Sequence, residues 1–281
     1  MKYFIEAETL LEWLEKKNVR LVDCRFQLGQ QAYGQAEYEK EHIPGAAFFD
    51  IEKDLSSPKQ KHGGRHPLPD FHDFKTKLEA AGISNETIIV AYDNGEGSFA
   101  SRFLWMMNYI GHTDTYLLNG GFSVWKEKGY PTDAEKAVFK PGTFSIAIDN
   151  SIYASYEEVK QAVEQGKDAI LIDSREEKRY LGIEEPIDAK AGHIPGAINE
   201  VWTKGFQNGR FLPESKQKQR FAELDPNKQI IVYCGSGITA APNYIALKEA
   251  GFPKVKVYTG SFSDWISYPE NQIESLAETN K

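Results

Sequence analysis

The chain is written twice. RLVDCR at Arg20 to Arg25 is answered by ILIDSR at Ile170 to Arg175, and HIPGA at His42 to Ala46 by HIPGA at His193 to Ala197. TIIVAYD, ending at Asp93, is answered by QIIVYC, ending at Cys234. NGGFSVW, ending at Trp125, is answered by TGSFSDW, ending at Trp265. The order is kept and the offset stays between about 140 and 151 positions. A constant offset of this kind marks a duplicated unit. Two copies of roughly 130 residues follow, divided as 1–140 and 141–281. The join lies in the proline- and glycine-containing stretch from Gly129 to Ser151. FSIAI, Phe144 to Ile148, is expected to begin the second copy as a strand.

Within each copy, short apolar runs alternate with helical patterns. The runs of the first are Val19 to Val22, Ile88 to Val90 and Thr115 to Leu118. Helices are expected at Glu8 to Lys17, Phe71 to Ala81 and Ser101 to Ile110. In the second copy the runs are Ala169 to Ile172, Ile230 to Tyr233 and Val255 to Tyr258, with helices at Ser155 to Gln165, Lys216 to Leu224 and Ala240 to Ala250. This is an α/β pattern: in each copy a parallel sheet covered by helices on both faces.

Composition narrows the function classes. A formal net charge of -8 disfavours nucleic acid as the main partner, because a phosphate backbone calls for a basic footprint. No run reaches the ~18 apolar residues of a membrane span. The start, MKYFIEAETLLEWLEKK, carries charges throughout, unlike a signal peptide. The two cysteines, Cys24 and Cys234, fall in different copies, so no disulfide scaffold is implied. A cytoplasmic, reducing location suits such thiols. The six histidines and two cysteines make no metal-ligand spacing, and no dinucleotide or Walker loop is present.

Cys234 carries the chemistry. It stands at the carboxyl end of an apolar run, before Gly235-Ser236-Gly237-Ile238-Thr239, at the start of a helix. Parallel sheets bind ligands outside the carboxyl ends of their strands. Backbone N–H groups of a glycine-containing turn converge there on an anion and favour a thiolate nucleophile. Ser236 and Thr239 offer hydroxyl donors, and Thr239 can equally cap the helix. Asp93 occupies the matching position of the first copy, so that copy lacks the thiol. Arg102, near the start of the helix that follows, can face a cleft between the copies. Cys24 has no such turn and reads as structural. Asp23 with Arg25, and Asp173 with Arg175, read as matching ion pairs. His42 and His193 each open a rigid Ile-Pro-Gly-Ala turn. His42 is the better catalytic candidate of the two. His62-Gly-Gly-Arg65-His66-Pro reads as a flexible loop. Arg179 can hold a carboxylate in a two-pronged bond.

Taken together, the Asp-Cys/Ser-Arg and His-Ile-Pro-Gly-Ala pairs, the Phe-Ser-x-Trp pieces and the cysteine loop resemble the two-domain rhodanese family of sulfurtransferases. The resemblance covers nearly the whole chain. It implies two tandem rhodanese-like domains, with Cys234 forming a persulfide in the carboxy-terminal one and the amino-terminal one an inactive copy. Cys-Gly-Ser-Gly-Ile-Thr is similar to the 3-mercaptopyruvate branch, since thiosulfate-preferring members usually carry cations after the cysteine. That likeness assigns proton transfer to Ser236 with His42, and carboxylate binding to Arg102 and Arg179. The loop residues Gly235, Gly237, Ile238 and Thr239 surround the donor. The family often has a further arginine between its Glu-Pro segment and Gly-His-Ile-Pro. Here that stretch, Pro186 to Ala191, holds only Lys190 as a cation.

The implied reaction passes sulfane sulfur from a small anionic donor to Cys234, then to cyanide or a thiol such as thioredoxin or a small dithiol. It requires no metal or organic cofactor. The alternatives are a thiosulfate:cyanide sulfurtransferase and a non-enzymatic persulfide carrier. A cysteine phosphatase needs an arginine six residues after its cysteine, where this chain has Ala240.

Overall fold

A computed structural model describes residues 1–16, 18–166 and 169–276. Lys17, the last residue of the first expected helix, lies outside the described residues. The chain forms two compact units. Unit 1 comprises Met1–Ser57, Leu68–Asp149 and Phe206–Phe211; unit 2 comprises Pro58–Pro67, Asn150–Gly205 and Leu212–Lys281. Each unit therefore contains a short segment from the other half of the sequence.

Unit 1 runs β1 (Phe4–Ile5), α1 (Ala7–Lys16), β2 (Val19–Asp23), α2 (Tyr33–Lys40), β3 (Ala46–Phe48), α3 (Phe71–Ala80), β4 (Ile88–Tyr92), α4 (Ser98–Tyr109), β5 (Thr115–Leu118) and α5 (Gly121–Glu127). Its sheet is parallel in the order β1-β5-β4-β2-β3. Unit 2 runs α6 (Tyr156–Gln165), β6 (Ala169–Asp173), α7 (Glu177–Tyr180) and β7 (Ile198–Asn199). The hairpin of β8 (Phe206–Gln207) and β9 (Arg210–Phe211) belongs to unit 1. Unit 2 resumes with α8 (Glu214–Arg220), β10 (Gln229–Tyr233), α9 (Ala240–Glu249), β11 (Val255–Val257) and α10 (Ser261–Trp265). Its sheet is parallel in the order β11-β10-β6-β7. Both units are thus parallel sheets flanked by helices.

The repeat is kept to the level of single contacts. Asp23 pairs in register with Tyr92, as Asp173 does with Tyr233. The core of unit 1 gathers Leu21, Ile43, Ala46, Val90, Tyr92, Phe122 and Trp125. That of unit 2 gathers the corresponding Leu171, Ile194, Ala197, Ile231, Tyr233, Phe262 and Trp265. The central strands carry unbroken apolar runs because both faces are buried. Helices α4 and α9 are buried nearly all round.

Two expectations are corrected. FSIAI forms no strand: this stretch belongs to unit 1, where Phe144 is buried and Ala147 N donates to Ile110 O at 2.9 Å. The strand position it was expected to fill is taken by Tyr153, which bridges Val257 in parallel. Helix α8 begins two residues before Lys216, directly after Pro213, whose extended backbone opens it, and ends at Arg220.

The expected ion pairs are present and buried. Arg25 Nη2 lies 2.6 Å from Asp23 Oδ2 and donates to Glu41 O at 2.7 Å. Arg175 Nη2 lies 2.6 Å from Asp173 Oδ2 and donates to Gly192 O at 2.7 Å. Each guanidinium so ties a strand end to the turn before Ile-Pro-Gly. Removing one partner leaves a charge without a counterion in the core. Arg25→Met is therefore expected to cost about 3–5 kcal/mol of unfolding free energy in a denaturant titration. An unchanged midpoint would show that this pair does not hold the loop.

Candidate active site

Strand β10 delivers Cys234 into the turn that opens α9. Its carbonyl accepts from Phe262 N at 3.0 Å, and that of Gly235 accepts from Ser263 N at 3.0 Å. These bonds bend the backbone so that Gly237 N–H points at Cys234 Sγ, 3.1 Å away. Gly237 has φ +83°, and a Cβ there would lie 2.2 Å from Thr259 O. Only glycine closes this turn. Ser261 Oγ accepts from Cys234 N at 3.1 Å and stands 3.9 Å from Sγ. Ser261 holds φ +58°, where its counterpart in unit 1 is Gly121 at φ +57°. A serine in that conformation costs ~1–3 kcal/mol, and the strain sits beside Cys234. Thr239 takes the N-cap position of α9 without a side-chain cap bond. Ile238 is buried beneath the turn.

Unit 1 shows what the same turn does with an anion. Asp93 Oδ1 accepts from Gly95 N and Gly97 N at 3.0 and 2.9 Å, and Oδ2 from Phe99 N and Ala100 N at 3.1 and 3.2 Å. The carboxylate fills a nest of backbone N–H groups. Burial pushes the Asp93 pKa up, against these N–H donors. Glu96 is pushed up to about 8 by burial and by the charge of Asp93. Burial, with the charges of Asp23, Asp93 and Asp54, raises the pKa of Cys24 well above the ordinary value. It is held as a thiol.

The imidazole partner of Ser236 is His66. Its Nδ1 lies 2.9 Å from Ser236 Oγ. His42, the histidine expected in that role, has its ring nitrogens bonded within unit 1, Nδ1 to Tyr38 O at 2.6 Å and Nε2 to Glu135 O at 3.2 Å. It stacks on Tyr38 at 3.9 Å. His193 repeats this arrangement, with Nδ1 2.7 Å from Tyr180 O and the ring stacked on Tyr180 at 3.8 Å. A role performed identically in both copies is that of a turn lock. His66 escaped the sequence analysis because its segment carries no periodicity. Its one signal was length: the stretch between β3 and α3 is long for a connection without helix or strand, and such loops tend to be functional.

Arginines border the turn. A Cβ placed on Gly235 would lie 2.7 Å from Arg65 Nη2 and 3.4 Å from Arg179 Nη2. Arg179 is held by Glu185 at 2.8 Å and Asp188 at 2.9 Å. Arg65 pairs with the other oxygen of Asp188. Cations that the loop sequence lacks are thus supplied from α7 and from the segment Pro58–Pro67, with carboxylates against them. Arg102, the other expected carboxylate binder, is fully buried in α4 of unit 1, where it donates to Leu55 O at 2.9 Å. A groove of about 670 Å³ in unit 1 is lined by Tyr38, Phe48, Lys77 and Phe139 among others and holds none of the Cys234 turn.

The Rhodanese-like domain family matches residues 6–128 and 155–268, one match in each copy. The chain belongs to the rhodanese family. It is 40% identical over 275 residues to a probable 3-mercaptopyruvate sulfurtransferase of Pseudomonas aeruginosa, covering 96% of both chains. It is 33% identical over 279 residues to a thiosulfate sulfurtransferase of Cricetulus griseus, covering 95% of this chain and 92% of that one. Among solved structures it resembles SseA of Escherichia coli, a 3-mercaptopyruvate sulfotransferase, with a TM-score of 0.81 and 28% identity over 94% of this chain and all of that one. This rhodanese-family chain is therefore a sulfurtransferase, an enzyme that moves sulfane sulfur. Among the described residues no helix is long and apolar enough to cross a membrane.

The Asp93–Glu96 pair makes stability depend on pH. Glu96 keeps its proton in the folded state up to about pH 8 and loses it near 4.5 when unfolded. Stability then falls as pH rises through that window, because the folded state binds more protons. Glu96→Gln is expected to flatten the decline, so that its melting temperature gains on the wild type between pH 5 and pH 8. Parallel curves would remove the pair as its cause.

Proposed function

We propose that this sulfurtransferase takes sulfur from 3-mercaptopyruvate and passes it through a Cys234 persulfide to a thiol, such as thioredoxin or a small dithiol, or to cyanide. The observation that carries the reading is the 2.9 Å contact between Ser236 Oγ and His66 Nδ1. Cys234 thiolate attacks the donor sulfur, forming an S–S bond as the C–S bond breaks. The electron pair leaves on carbon as the enolate of pyruvate, and that carbon needs a proton. A serine hydroxyl backed by imidazole supplies one and takes up in its place the proton that the donor thiol gives up. Sulfite, the leaving group of thiosulfate, departs with its electron pair and needs none. The Gly237 N–H stabilises the sulfur anion that remains. Arg179 meets the donor carboxylate, with Gly235, Ile238 and Thr239 shaping the turn around it.

A thiosulfate:cyanide sulfurtransferase is the second reading. It is favoured by the two guanidiniums beside Gly235, which suit a dianion. Against it, Glu185 and Asp188 already offset those charges.

Steady-state kcat/KM with the two donors decides between them, with Cys234→Ser as control. Mercaptopyruvate is expected to be turned over at least tenfold better, and Cys234→Ser to be inactive with both. Faster turnover of thiosulfate overturns the donor assignment. Activity in Cys234→Ser overturns the persulfide route.

His66→Ala separates the proton step from sulfur attack. It is expected to lower kcat for mercaptopyruvate by about 100-fold, within the usual range of acid–base catalysis. Thiosulfate turnover should change little. Equal losses with both donors would give His66 a structural role.

A further inference from the structure

We propose that Arg65 binds the sulfur donor: its guanidinium, side by side with that of Arg179, takes the donor carboxylate. This rests on the reading of the donor as a small 2-oxo carboxylate.

Three observations support it. First, Arg65 and Arg179 supply the side-chain atoms nearest to a Cβ built on Gly235, the residue after the nucleophile. Second, the segment that carries Arg65 is fastened to unit 2 on both sides of it. His62 Nδ1 lies 2.7 Å from Ser267 Oγ and its ring stacks on Tyr268 at 4.1 Å. Gly63 N donates to Asp264 Oδ1 at 2.7 Å, and Arg65 N to Ser263 Oγ at 3.1 Å. His66 then closes on Ser236. Third, Asp188 bridges the two guanidiniums, one oxygen on Arg65 and the other on Arg179. Two like charges are thereby held in one place, with Arg65 Nη2 and Arg179 Nη1 both close to Gly235.

The charge environment agrees. The Arg65 pKa is lowered, first by burial and then by the neighbouring Arg179, with the Cys234 sulfur acting in the opposite direction. An arginine stays charged through such shifts. Arg65 and Arg179 are balanced by Glu185 and Asp188, so the pair offers geometry for a planar carboxylate without excess charge that would trap a dianion. Arg65 and Arg179 reach the turn from different parts of the sequence.

The test uses two readouts on the full chain. In Arg65→Gln, KM for mercaptopyruvate is expected to rise by about 10- to 100-fold, as for loss of a charged hydrogen bond, with Arg65→Lys recovering part of it. The second readout needs no turnover. Alkylation of Cys234 by iodoacetate, a carboxylate, is compared with alkylation by neutral iodoacetamide; in both the thiolate displaces iodide, and mass spectrometry assigns the site. The iodoacetate-to-iodoacetamide rate ratio is expected to fall by about tenfold in Arg65→Gln. An unchanged ratio overturns the proposal even if KM rises, because the effect would then be structural. Should Arg65→Gln fail to fold, Arg65→Lys gives the same ratio test, with a smaller expected drop. A lowered ratio in a chain whose wild type does not use mercaptopyruvate keeps Arg65 as a carboxylate binder and removes only the donor reading.

Discussion

The charged layer beside the Cys234 turn hangs from one buried guanidinium. Arg175 donates to both oxygens of Asp173, to Gly192 O and to Glu185, and lies 4.0 Å over the ring of Phe262. Burial opposes its charge, but Asp173 and Glu185 hold its pKa above the ordinary value. Glu185 in turn holds Arg179 and accepts from the N–H groups of Ile187 and Asp188. Asp188 then reaches Arg65. Each charge positions the next, so the layer is set by an anchor that never meets the donor. A buried network of this sort is worth having only when every member is satisfied.

Unit 1 keeps the frame and loses the chemistry. Its Asp23–Arg25 pair, its Tyr38–His42 stack and its turn after β4 all match unit 2. Yet the turn closes around the carboxylate of Asp93, where unit 2 places a sulfur. The same turn closes on a carboxylate in one copy and on a cysteine sulfur in the other. Gly121 and Ser261 record the difference: the backbone is left-handed at both, and only the copy with the thiol accepts a side chain there. A Cβ on Gly121 would come 2.4 Å from Asp93 O.

The histidines show why local pattern misleads. His42 opens a conspicuous, repeated motif, and repetition is what marks it as structural. His66 sits in an unremarkable glycine-rich stretch, and its role depends on where that stretch is held. Arg102, expected to bind a carboxylate, lies in a buried helix, where its guanidinium donates to a backbone carbonyl. Arg65 was hidden for the same reason as His66.

The class of reaction came from the family resemblance; from residues alone came the duplication, the parallel α/β architecture and the strand-end cysteine. These depend on periodicity, on offset and on the chemistry of a turn, all written in neighbouring residues. Folding alone revealed that His66 backs Ser236 and that Arg65 joins Arg179 beside Gly235. His66 and Arg65 come from a segment about 170 positions away in the sequence that joins the compact unit of the other half. No local propensity encodes such an exchange, because it is decided by the long-range contacts that close the loop.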